Sequence, residues 1–528
     1  MLDRSFRLSL VLFLLLIAPL SLLAQAQPDT DARLKEIDEY ASKAMQDWKV
    51  PGFALAIVKD DAVIFAKGYG VRKLGELATV DEHTLFAIAS NSKAFTAAAL
   101  ALLVDEGKLK WDDPVTKYLP GFQLFDPYVT RELNIRDLLS HRSGLATFGG
   151  DLLWYETTYD RDEVLRRIRF LKPTSSFRSK YGYQNIMFLA AGQIVSNITG
   201  KSWDQFVKER FFVPLGMSRT TTSITAFKDM DNIATPHNEM DGKIRVIRYS
   251  NVDGVGPAAS INSSVSDVAQ WIRLQLGRGT YKGKQIFSRA ASREMWTPHT
   301  IVPISEQGEK LNPTRHFNTY GLGWFLSDYH GRKVVSHGGG LDGMISQVAM
   351  MPEENLGVVV LSNSETPLST ILVNKVFDLF LGVPRRDWSA ELLERSKQAK
   401  EASKAAEKKT EDARVPNTKP SLPLQGYAGT YTGEMYGEAK ITEENGRLVL
   451  RLVPAPSFVG DLEHWHFDTF RLKWRDSVSY PFPRGLVSFT LNPEGKVDEM
   501  KIDVPNPDFD FKELEFRRVK QAEAQKDK

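Results

Sequence analysis

Residues 86–96 read Phe86-Ala87-Ile88-Ala89-Ser90-Asn91-Ser92-Lys93-Ala94-Phe95-Thr96, which predicts an extended segment leading into an Ala/Leu-rich helix and includes the only S-x-x-K in the chain. If Ser90 starts that helix, Lys93 lies one turn later on the same face and its amine can reach the serine oxygen. A serine hydroxyl is a weak nucleophile until a base removes its proton, and Lys93 is a candidate base whose pKa the helix dipole tends to lower. The alternative is a Ser90 that only caps the helix, with Lys93 on the surface.

A second segment, Tyr181-Gly182-Tyr183-Gln184-Asn185, opens an apolar pattern that predicts a helix over residues 183–199. A phenol titrates at about 10 when unperturbed, and a nearby ammonium favours the phenolate, which would make Tyr183 usable as a base. Asn185 can hold Lys93 through its carbonyl and a substrate amide through its NH₂ group. The alternative is a helix-capping Asn185 and a half-buried aromatic Tyr183.

A third segment reads Ser336-His337-Gly338-Gly339-Gly340-Leu341-Asp342-Gly343. It matches G-x-G-x-x-G literally, but a strand pattern follows it rather than a helix, which excludes a dinucleotide-binding turn. Glycines at a strand edge let a substrate backbone lie close, and an N–H near Gly340 can pair with that of Ser90 as an oxyanion hole. His337 is either an electrophilic or proton-relaying group of the site or a packing histidine at a turn.

The three segments, in this order, resemble the penicillin-recognising serine hydrolases, in the branch that groups class C β-lactamases, D-stereospecific aminopeptidases and carboxypeptidases, and related esterases. The resemblance covers residues 33–381 and includes flanking segments such as Val50-Pro51-Gly52 and Pro214-Leu215-Gly216-Met217. It implies an α+β fold of the β-lactamase type, in which helices flank an antiparallel sheet beside a mostly helical lobe.

The same resemblance implies a role for each polar residue of the first two segments. Ser90 would be the acylated nucleophile, Lys93 the adjacent base or electrostatic activator, and Tyr183 the base that becomes the leaving-group acid. Asn185 would orient Lys93 and the substrate. The implied reaction is acyl transfer through an ester on Ser90, with no metal and no cofactor.

For the third segment, the resemblance assigns the backbone N–H groups of Ser90 and Gly340 to the oxyanion, with His337 and Gly339 completing the site. Dedicated β-lactamases usually carry Lys-Thr-Gly or Lys-Ser-Gly where this chain has His337-Gly338-Gly339. A neutral imidazole and a glycine offer less to the carboxylate of an antibiotic. Strong β-lactamase activity is therefore not expected.

These features together predict an exported serine hydrolase that cleaves an ester or amide, such as a D-amino-acid peptide or a small ester. Two alternatives stay open. One is a β-lactamase or penicillin-binding protein; the other is a non-catalytic module that binds cell-wall peptides or β-lactams. The expected partner is a small-molecule or short-peptide substrate, and the oligomeric state is left open.

The composition agrees with a globular protein and excludes several other classes. The chain has 528 residues, of which 42% are hydrophobic and 25% charged, so disordered and multi-span membrane proteins are excluded. A formal net charge of +2 lacks the excess of basic residues that is typical of nucleic-acid-binding proteins. The absence of cysteine excludes disulfides, cysteine-based metal sites and thiol nucleophiles, and the nine histidines form no H-E-x-x-H.

The N-terminal residues predict a signal peptide over residues 1–26. An apolar run from Leu8 to Ala24 leads into Ala24-Gln25-Ala26, which fits the A-x-A rule of signal peptidase. The alternative is an uncleaved anchor, for which about 17 residues interrupted by Pro19 is short. The prediction is a periplasmic or secreted protein without a stable membrane span after cleavage.

The rest of the chain divides into three further parts. Two strand pairs, within residues 53–66 and 344–361, predict hairpins of one antiparallel sheet built from both ends of a hydrolase domain, residues 27–384, with helices between them. Residues 385–423 form a charged, partly helical linker. Residues 424–518 show short strands and turns typical of a small all-β domain, a β-sandwich or barrel.

Overall fold

The structure is a computed structural model that describes residues 30–478 and 482–520. The predicted signal peptide lies outside the described residues. The strands of the first region are β1 (Gly52–Lys59), β2 (Ala62–Gly70), β3 (Phe86–Ala87), β4 (His237–Met240), β5 (Lys243–Val246), β6 (Asn262–Ser263), β7 (Thr280–Tyr281), β8 (Lys284–Gln285), β9 (Thr300–Ile301), β10 (Asn318–Tyr320), β11 (Phe325–Tyr329), β12 (Arg332–Leu341), β13 (Met344–Met351) and β14 (Leu356–Ser362).

Eight of these strands form one antiparallel sheet in the order β2-β1-β14-β13-β12-β11-β10-β9. The two predicted hairpins, β1–β2 and β13–β14, join through β1 and β14, where Leu55 pairs with Val360. The sheet is therefore built from both ends of the region, as the sequence predicts.

The helices of the chain are α1 (Thr30–Asp47), α2 (Ser92–Asp105), α3 (Pro127–Glu132), α4 (Ile135–Leu139), α5 (Arg161–Arg167), α6 (Asn185–Thr199), α7 (Trp203–Val207), α8 (Val213–Leu215), α9 (Gly256–Ala259), α10 (Val265–Leu276), α11 (Arg289–Met295), α12 (Glu306–Leu311), α13 (Leu368–Leu381) and α14 (Trp388–Asp412). Within the described parts of the chain, no helix has both the length and the apolar character needed to cross a membrane.

Helices cover both faces of the sheet, which explains the unbroken apolar run of β14. Alternate residues of a strand point to opposite faces. Val358 and Val360 pack with α1 and α13, whereas Val359 and Leu361 pack with α10 and the helical lobe. A strand buried on both faces favours apolar side chains on both, which accounts for the apolar run over residues 358–361.

Helix α2 lies at the centre of the helical lobe and is buried on all sides from Ser92 to Leu103. Its Ala/Leu-rich sequence suits that position, because a helix that is apolar all round needs neighbours all round. The neighbouring α6 begins at Asn185 rather than at Tyr183, where the sequence pattern starts. Gln184 precedes it with an extended backbone, φ −129° and ψ 115°, so Tyr183 belongs to the segment that leads into the helix.

Most of the predicted charged, partly helical linker, residues 385–423, is one continuous helix, α14. Ion pairs between residues one turn apart, such as Glu391 with Arg395 and Asp412 with Lys408, lie along this helix.

An all-β domain follows, with strands β15 (Gly429–Gly433), β16 (Gly437–Glu444), β17 (Arg447–Leu452), β18 (Val459–His466), β19 (Thr469–Trp474), β20 (Gly485–Leu491), β21 (Val497–Asp503) and β22 (Phe516–Arg518). These strands close into a barrel, in which β15 pairs with β22.

Candidate active site

Ser90 lies in a single 3₁₀ turn, Ala89–Asn91, directly before α2. Ala89 has a φ of +45°, in the left-handed region that an alanine rarely adopts. Side-chain hydrogen bonds hold this turn: Asn91 Nδ2 donates to Ser346 Oγ at 2.8 Å, and Ser346 Oγ donates to the Ile88 carbonyl at 2.7 Å. The turn that presents Ser90 is thus anchored to β13 of the sheet.

Lys93 lies one turn after Ser90 and is fully buried. Its Nζ is 3.0 Å from Ser90 Oγ, 2.6 Å from Asn185 Oδ1 and 3.0 Å from the Ala258 carbonyl oxygen. Burial lowers the pKa of Lys93 to about 7, and the negative charge of Asp151 limits that fall. A neutral amine has two N–H donors and one lone pair. Because the two carbonyl oxygens can only accept, the lone pair is left for the Ser90 hydroxyl.

Tyr183 lies beside this pair, just before α6. The Lys93 Nζ is 4.6 Å from the centre of the Tyr183 ring, and the phenol is hydrogen-bonded to Ser90. The sequence alone suggests that the ammonium favours the phenolate. In the folded chain, burial is the larger effect and raises the pKa of Tyr183 well above its ordinary value, while the hydrogen bond with Ser90 lowers it. The neutral phenol is therefore the favoured form in the free protein.

Gln184, between Tyr183 and Asn185, holds the second segment against the loop that precedes residue 151. Its Nε2 donates to the carbonyl oxygens of Ala146, at 2.5 Å, and Gly149, at 3.2 Å. The Gln184 backbone N–H donates to Nδ1 of buried His141 at 3.0 Å. A glutamine is long enough to reach both carbonyl groups, which gives this residue a structural role.

A residue that the sequence analysis missed, Asp151, completes the hydrogen bonds of Asn185. Asn185 Nδ2 donates to Asp151 Oδ2 at 2.6 Å, while Trp154 Nε1 donates to Oδ1 of the same carboxylate at 2.8 Å. Burial raises the pKa of Asp151 to about 7, against the opposing effect of these two hydrogen bonds. The only hint in the sequence is an acidic residue between Gly149-Gly150 and the apolar Leu152-Leu153-Trp154.

The third segment lies in β12 as far as Leu341, and Asp342 and Gly343 form the turn to β13. His337 is buried, and both ring nitrogens have partners: Nε2 is 2.9 Å from the Tyr320 hydroxyl and Nδ1 is 2.6 Å from the Gly338 carbonyl oxygen. Since the carbonyl can only accept, Nδ1 carries the proton and Tyr320 donates to Nε2. Burial, together with the charge of Lys93, lowers the pKa of His337 to about 3, so the imidazole is neutral.

The glycines of β12 bring its backbone against the serine turn. Strand β11 pairs with β12 only up to Ser336, which leaves the edge from His337 to Leu341 open on that side. A Cβ on Gly339 would stand 2.2 Å from the Ile88 carbonyl oxygen, so only glycine fits there. Gly340 is exposed and lines the same cleft as Ser90.

The cleft over Ser90 has a volume of about 960 Å³. Eight aromatic residues line it, and within the part of the chain that the structure describes its lining includes five carboxylate residues and no lysine or arginine. The β-barrel forms part of the wall, which the sequence analysis did not foresee. Phe509 of the barrel packs on Tyr155 with ring centres 4.4 Å apart. The acidic residues are Asp151, Glu239, Asp342, Glu365 and Asp508, and the barrel contributes Phe482, Asn506, Asp508 and Phe509.

Comparison with known families identifies two matched regions. A family model described as Beta-lactamase matches residues 37–378, and a model described as a domain of unknown function (DUF3471) matches residues 413–518. The chain is similar to unguisins hydrolase ungD′ from Aspergillus campestris, with 29% identity over 450 residues that cover 81% of each chain. Protein flp from Staphylococcus aureus is 27% identical over 344 residues, which cover 63% of this chain and 64% of that protein.

Solved structures share the fold. The octameric penicillin-binding protein homologue from Pyrococcus abyssi aligns with a TM-score of 0.61 and 20% identity, covering 92% of this chain and 100% of that one. A D-stereospecific amidohydrolase from Streptomyces sp. aligns with a TM-score of 0.52 and 23% identity, covering 68% of this chain and 100% of that one.

Proposed function

The chain belongs to the β-lactamase family, and on that basis we propose that it is a serine hydrolase that forms an acyl-enzyme on Ser90 and cleaves an ester or amide. One observation carries the proposal: the buried Lys93 amine lies 3.0 Å from Ser90 Oγ and has two carbonyl acceptors for its N–H groups. A neutral amine held in this way directs its lone pair at the serine proton, which is what activation of a hydroxyl nucleophile requires.

Acylation then proceeds in two steps. Lys93 takes the proton of Ser90 as Oγ attacks the substrate carbonyl carbon, and the carbonyl π electrons move to oxygen. When the tetrahedral intermediate collapses, the bond to the leaving group breaks, and the leaving group takes a proton from Tyr183. The Lys93 ammonium returns a proton to Tyr183. This sequence uses the protonation states that burial favours, a neutral amine and a neutral phenol.

The intermediate carries its negative charge on the former carbonyl oxygen. The backbone N–H groups of Ser90 and Gly340 are the proposed donors to it, with Gly339 allowing the close approach of β12. Asn185 orients Lys93 and offers an amide to the substrate, and His337 supports the β12 edge as a neutral group. Water then attacks the acyl-enzyme by the same steps and releases the acid.

A neutral or cationic acyl substrate suits the cleft best, with a D-amino-acid peptide or a small ester as the leading candidates. Glu239 is paired with Lys400, and the other four carboxylate residues of the lining raise the energy of an anion in the cleft when they are ionised. This argues against the second candidate, a β-lactamase or penicillin-binding protein, whose ligands carry a carboxylate. The name of one relative, a hydrolase of unguisins, agrees with hydrolysis, and the name of a structural neighbour, a D-stereospecific amidohydrolase, agrees with cleavage of an amide.

The test is the intact mass of the protein after exposure to a fluorophosphonate probe, beside Ser90→Ala. One adduct on the wild type and none on the variant is the expected result, followed by turnover of esters or D-peptides by the wild type alone. The third candidate, a non-catalytic binding module, predicts no adduct on either protein. An equal adduct on both would place the reactive serine elsewhere.

We also propose that the protein is exported to the periplasm or the medium, on the basis of the signal-like residues 1–26. Expression of the full chain in a bacterial host should yield a mature form beginning at Gln27 outside the cytoplasm. Recovery of the uncleaved chain from the cytoplasm or the membrane would contradict the proposal.

A further inference from the structure

A line of hydrogen bonds connects the buried carboxylate of Asp151 to the proposed nucleophile, Ser90. Asp151 accepts from Asn185 Nδ2 at 2.6 Å, Asn185 Oδ1 accepts from Lys93 Nζ at 2.6 Å, and Lys93 Nζ lies 3.0 Å from Ser90 Oγ. Asp151 is 3% exposed and lines the cleft below these residues. None of these hydrogen bonds joins Asp151 directly to Ser90, so Asp151 acts on Ser90 through Asn185 and Lys93.

With Asp151 ionised and Lys93 neutral, the chemistry of the partners sets the direction of every bond in this line. An indole N–H can only donate, so Trp154 uses one oxygen of Asp151 as an acceptor. The other oxygen receives the NH₂ group of Asn185, which turns the amide oxygen of Asn185 toward Lys93. If the Asn185 amide were reversed, its NH₂ group would face the N–H donors of Lys93, and the amine would lose an acceptor.

The β-barrel holds the turn that carries Asp151. Glu513, in a 3₁₀ turn of the barrel domain, accepts a hydrogen bond from the Gly150 backbone N–H at 2.8 Å. Its other carboxylate oxygen would be 3.1 Å from a Cβ on Gly149, so the carboxylate sits directly on this turn. Gly150 has a φ of +78° and immediately precedes the 3₁₀ helix that begins with Asp151. Movement of Glu513 would therefore change where that helix begins.

We propose that Asp151 is a positioning residue for the Ser90–Lys93 pair, acting through Asn185, and that Glu513 of the barrel holds Asp151 in place. The inference rests on the proposed function. It gives the barrel a part in catalysis beyond lining the cleft: the catalytic geometry of one domain depends on a carboxylate of the other.

Asp151→Asn is the first test, because asparagine has the same shape but offers one acceptor oxygen to two donors. We expect the rate of fluorophosphonate labelling at Ser90 and kcat for a neutral ester to fall about 100-fold, the effect of misplacing a reacting group by about 1 Å. KM for the ester should change by less than about threefold. The rise of the labelling rate with pH should also shift to lower pH, because the negative charge of Asp151 no longer favours the Lys93 ammonium.

Glu513 is tested with one conservative and one truncating variant. Glu513→Gln keeps an acceptor for Gly150 and should label Ser90 at a rate close to wild type, whereas Glu513→Ala should label about tenfold more slowly. Glu515→Gln is the matched control, since the Glu515 side chain lies two residues away and makes an exposed ion pair with Lys172 across the same interface. It should label at the wild-type rate. Thermal unfolding of each variant shows whether the fold is kept.

The outcomes separate this inference from the proposed function. Labelling of Asp151→Asn at the wild-type rate with an unshifted pH dependence would overturn the positioning role of Asp151. Equal rates for Glu513→Ala and Glu515→Gln would overturn the part assigned to the barrel. A wild-type protein that gives no adduct at Ser90 would overturn the proposed function and this inference together.

Discussion

Gly339 lies directly against the backbone of Ser90. A Cβ on Gly339 would come within 3.0 Å of the Ser90 nitrogen and within 2.2 Å of the Ile88 carbonyl oxygen. The strand that forms one edge of the cleft and the turn that presents the proposed nucleophile therefore share a contact with no room for a side chain. The position of Ser90 relative to β12 depends on that contact.

Gly339→Ala should separate β12 from the serine turn, because the Ile88 carbonyl oxygen and the Ser90 nitrogen are backbone atoms that cannot rotate away. We expect a loss of stability of about 1–3 kcal/mol, as for other overpacked buried sites, and slower fluorophosphonate labelling. Urea denaturation measures the first effect and intact mass against time the second. Gly340→Ala is the stability control, since its Cβ would meet only Ile345 Cδ1, at 3.6 Å. Equal stability of the two variants would contradict the close packing at Gly339.

The sequence is enough to predict two things: that Ser90 and Lys93 lie together, and the general fold of the hydrolase domain. Ser90 and Lys93 share a helical face because they are three residues apart, and the two apolar hairpins specify a sheet built from both ends of the domain. Asp151 and Phe509 could not be found in this way. Each reaches the cleft through tertiary packing of segments far apart in the chain, and no periodicity records such a contact.

Burial also changes what the sequence alone suggests about charge. The helix dipole indicates the right direction for the pKa of Lys93, but desolvation of a fully buried amine is the larger cause. The same desolvation acts on Tyr183 in the opposite chemical sense, since it favours the neutral phenol over the phenolate. How deeply a side chain is buried depends on the whole packed lobe and cannot be read from the segment that contains it.

The rate of fluorophosphonate labelling should rise as the pH is increased through about 7. Below that pH, Lys93 is an ammonium and has no lone pair for the Ser90 proton; above it, the amine is free. Asp151 titrates in the same range, so the midpoint belongs to the pair. Lys93→Met should label slowly at every pH. A wild-type rate that is independent of pH between about 5 and 9 would contradict Lys93 as the base.

The free energy of unfolding should depend on pH in a way that reports the lowered pKa of the buried Lys93. The pKa of Lys93 is lower in the folded chain than in the unfolded one, so between the two values the unfolded chain binds more protons and stability rises with pH. Relative to Lys93→Met, the wild type should therefore gain stability between about pH 7 and about pH 9.5. Groups that titrate equally in both proteins contribute equally to the pH dependence of stability, so their contributions cancel in the difference. Urea denaturation at the two pH values measures it, and a constant difference would contradict the lowered pKa.

His337→Lys should increase acylation by penicillins relative to a neutral ester. The substitution places an ammonium on the open edge of β12, where the wild type has a neutral imidazole, and an ammonium attracts the antibiotic's carboxylate. The measurement is the ratio of the two acylation rates. His330→Lys, on an exposed turn, is the control for the added charge alone. An unchanged ratio for His337→Lys would contradict the interpretation of the third segment.

The acidic lining of the cleft should favour a cationic substrate over an uncharged one of the same shape. A choline ester and its 3,3-dimethylbutyl isostere differ only in that charge, so we expect a higher kcat/KM for the choline ester and a preference that weakens as salt is added. Asp508→Asn removes one carboxylate from the cleft and should reduce the preference. Asp498→Asn makes the same change in net charge on an exposed residue outside the cleft lining and should leave the preference unchanged. Equal kcat/KM for the two esters in the wild type would show that the lining carboxylates do not act on the substrate, and would restore the anionic β-lactams as candidates.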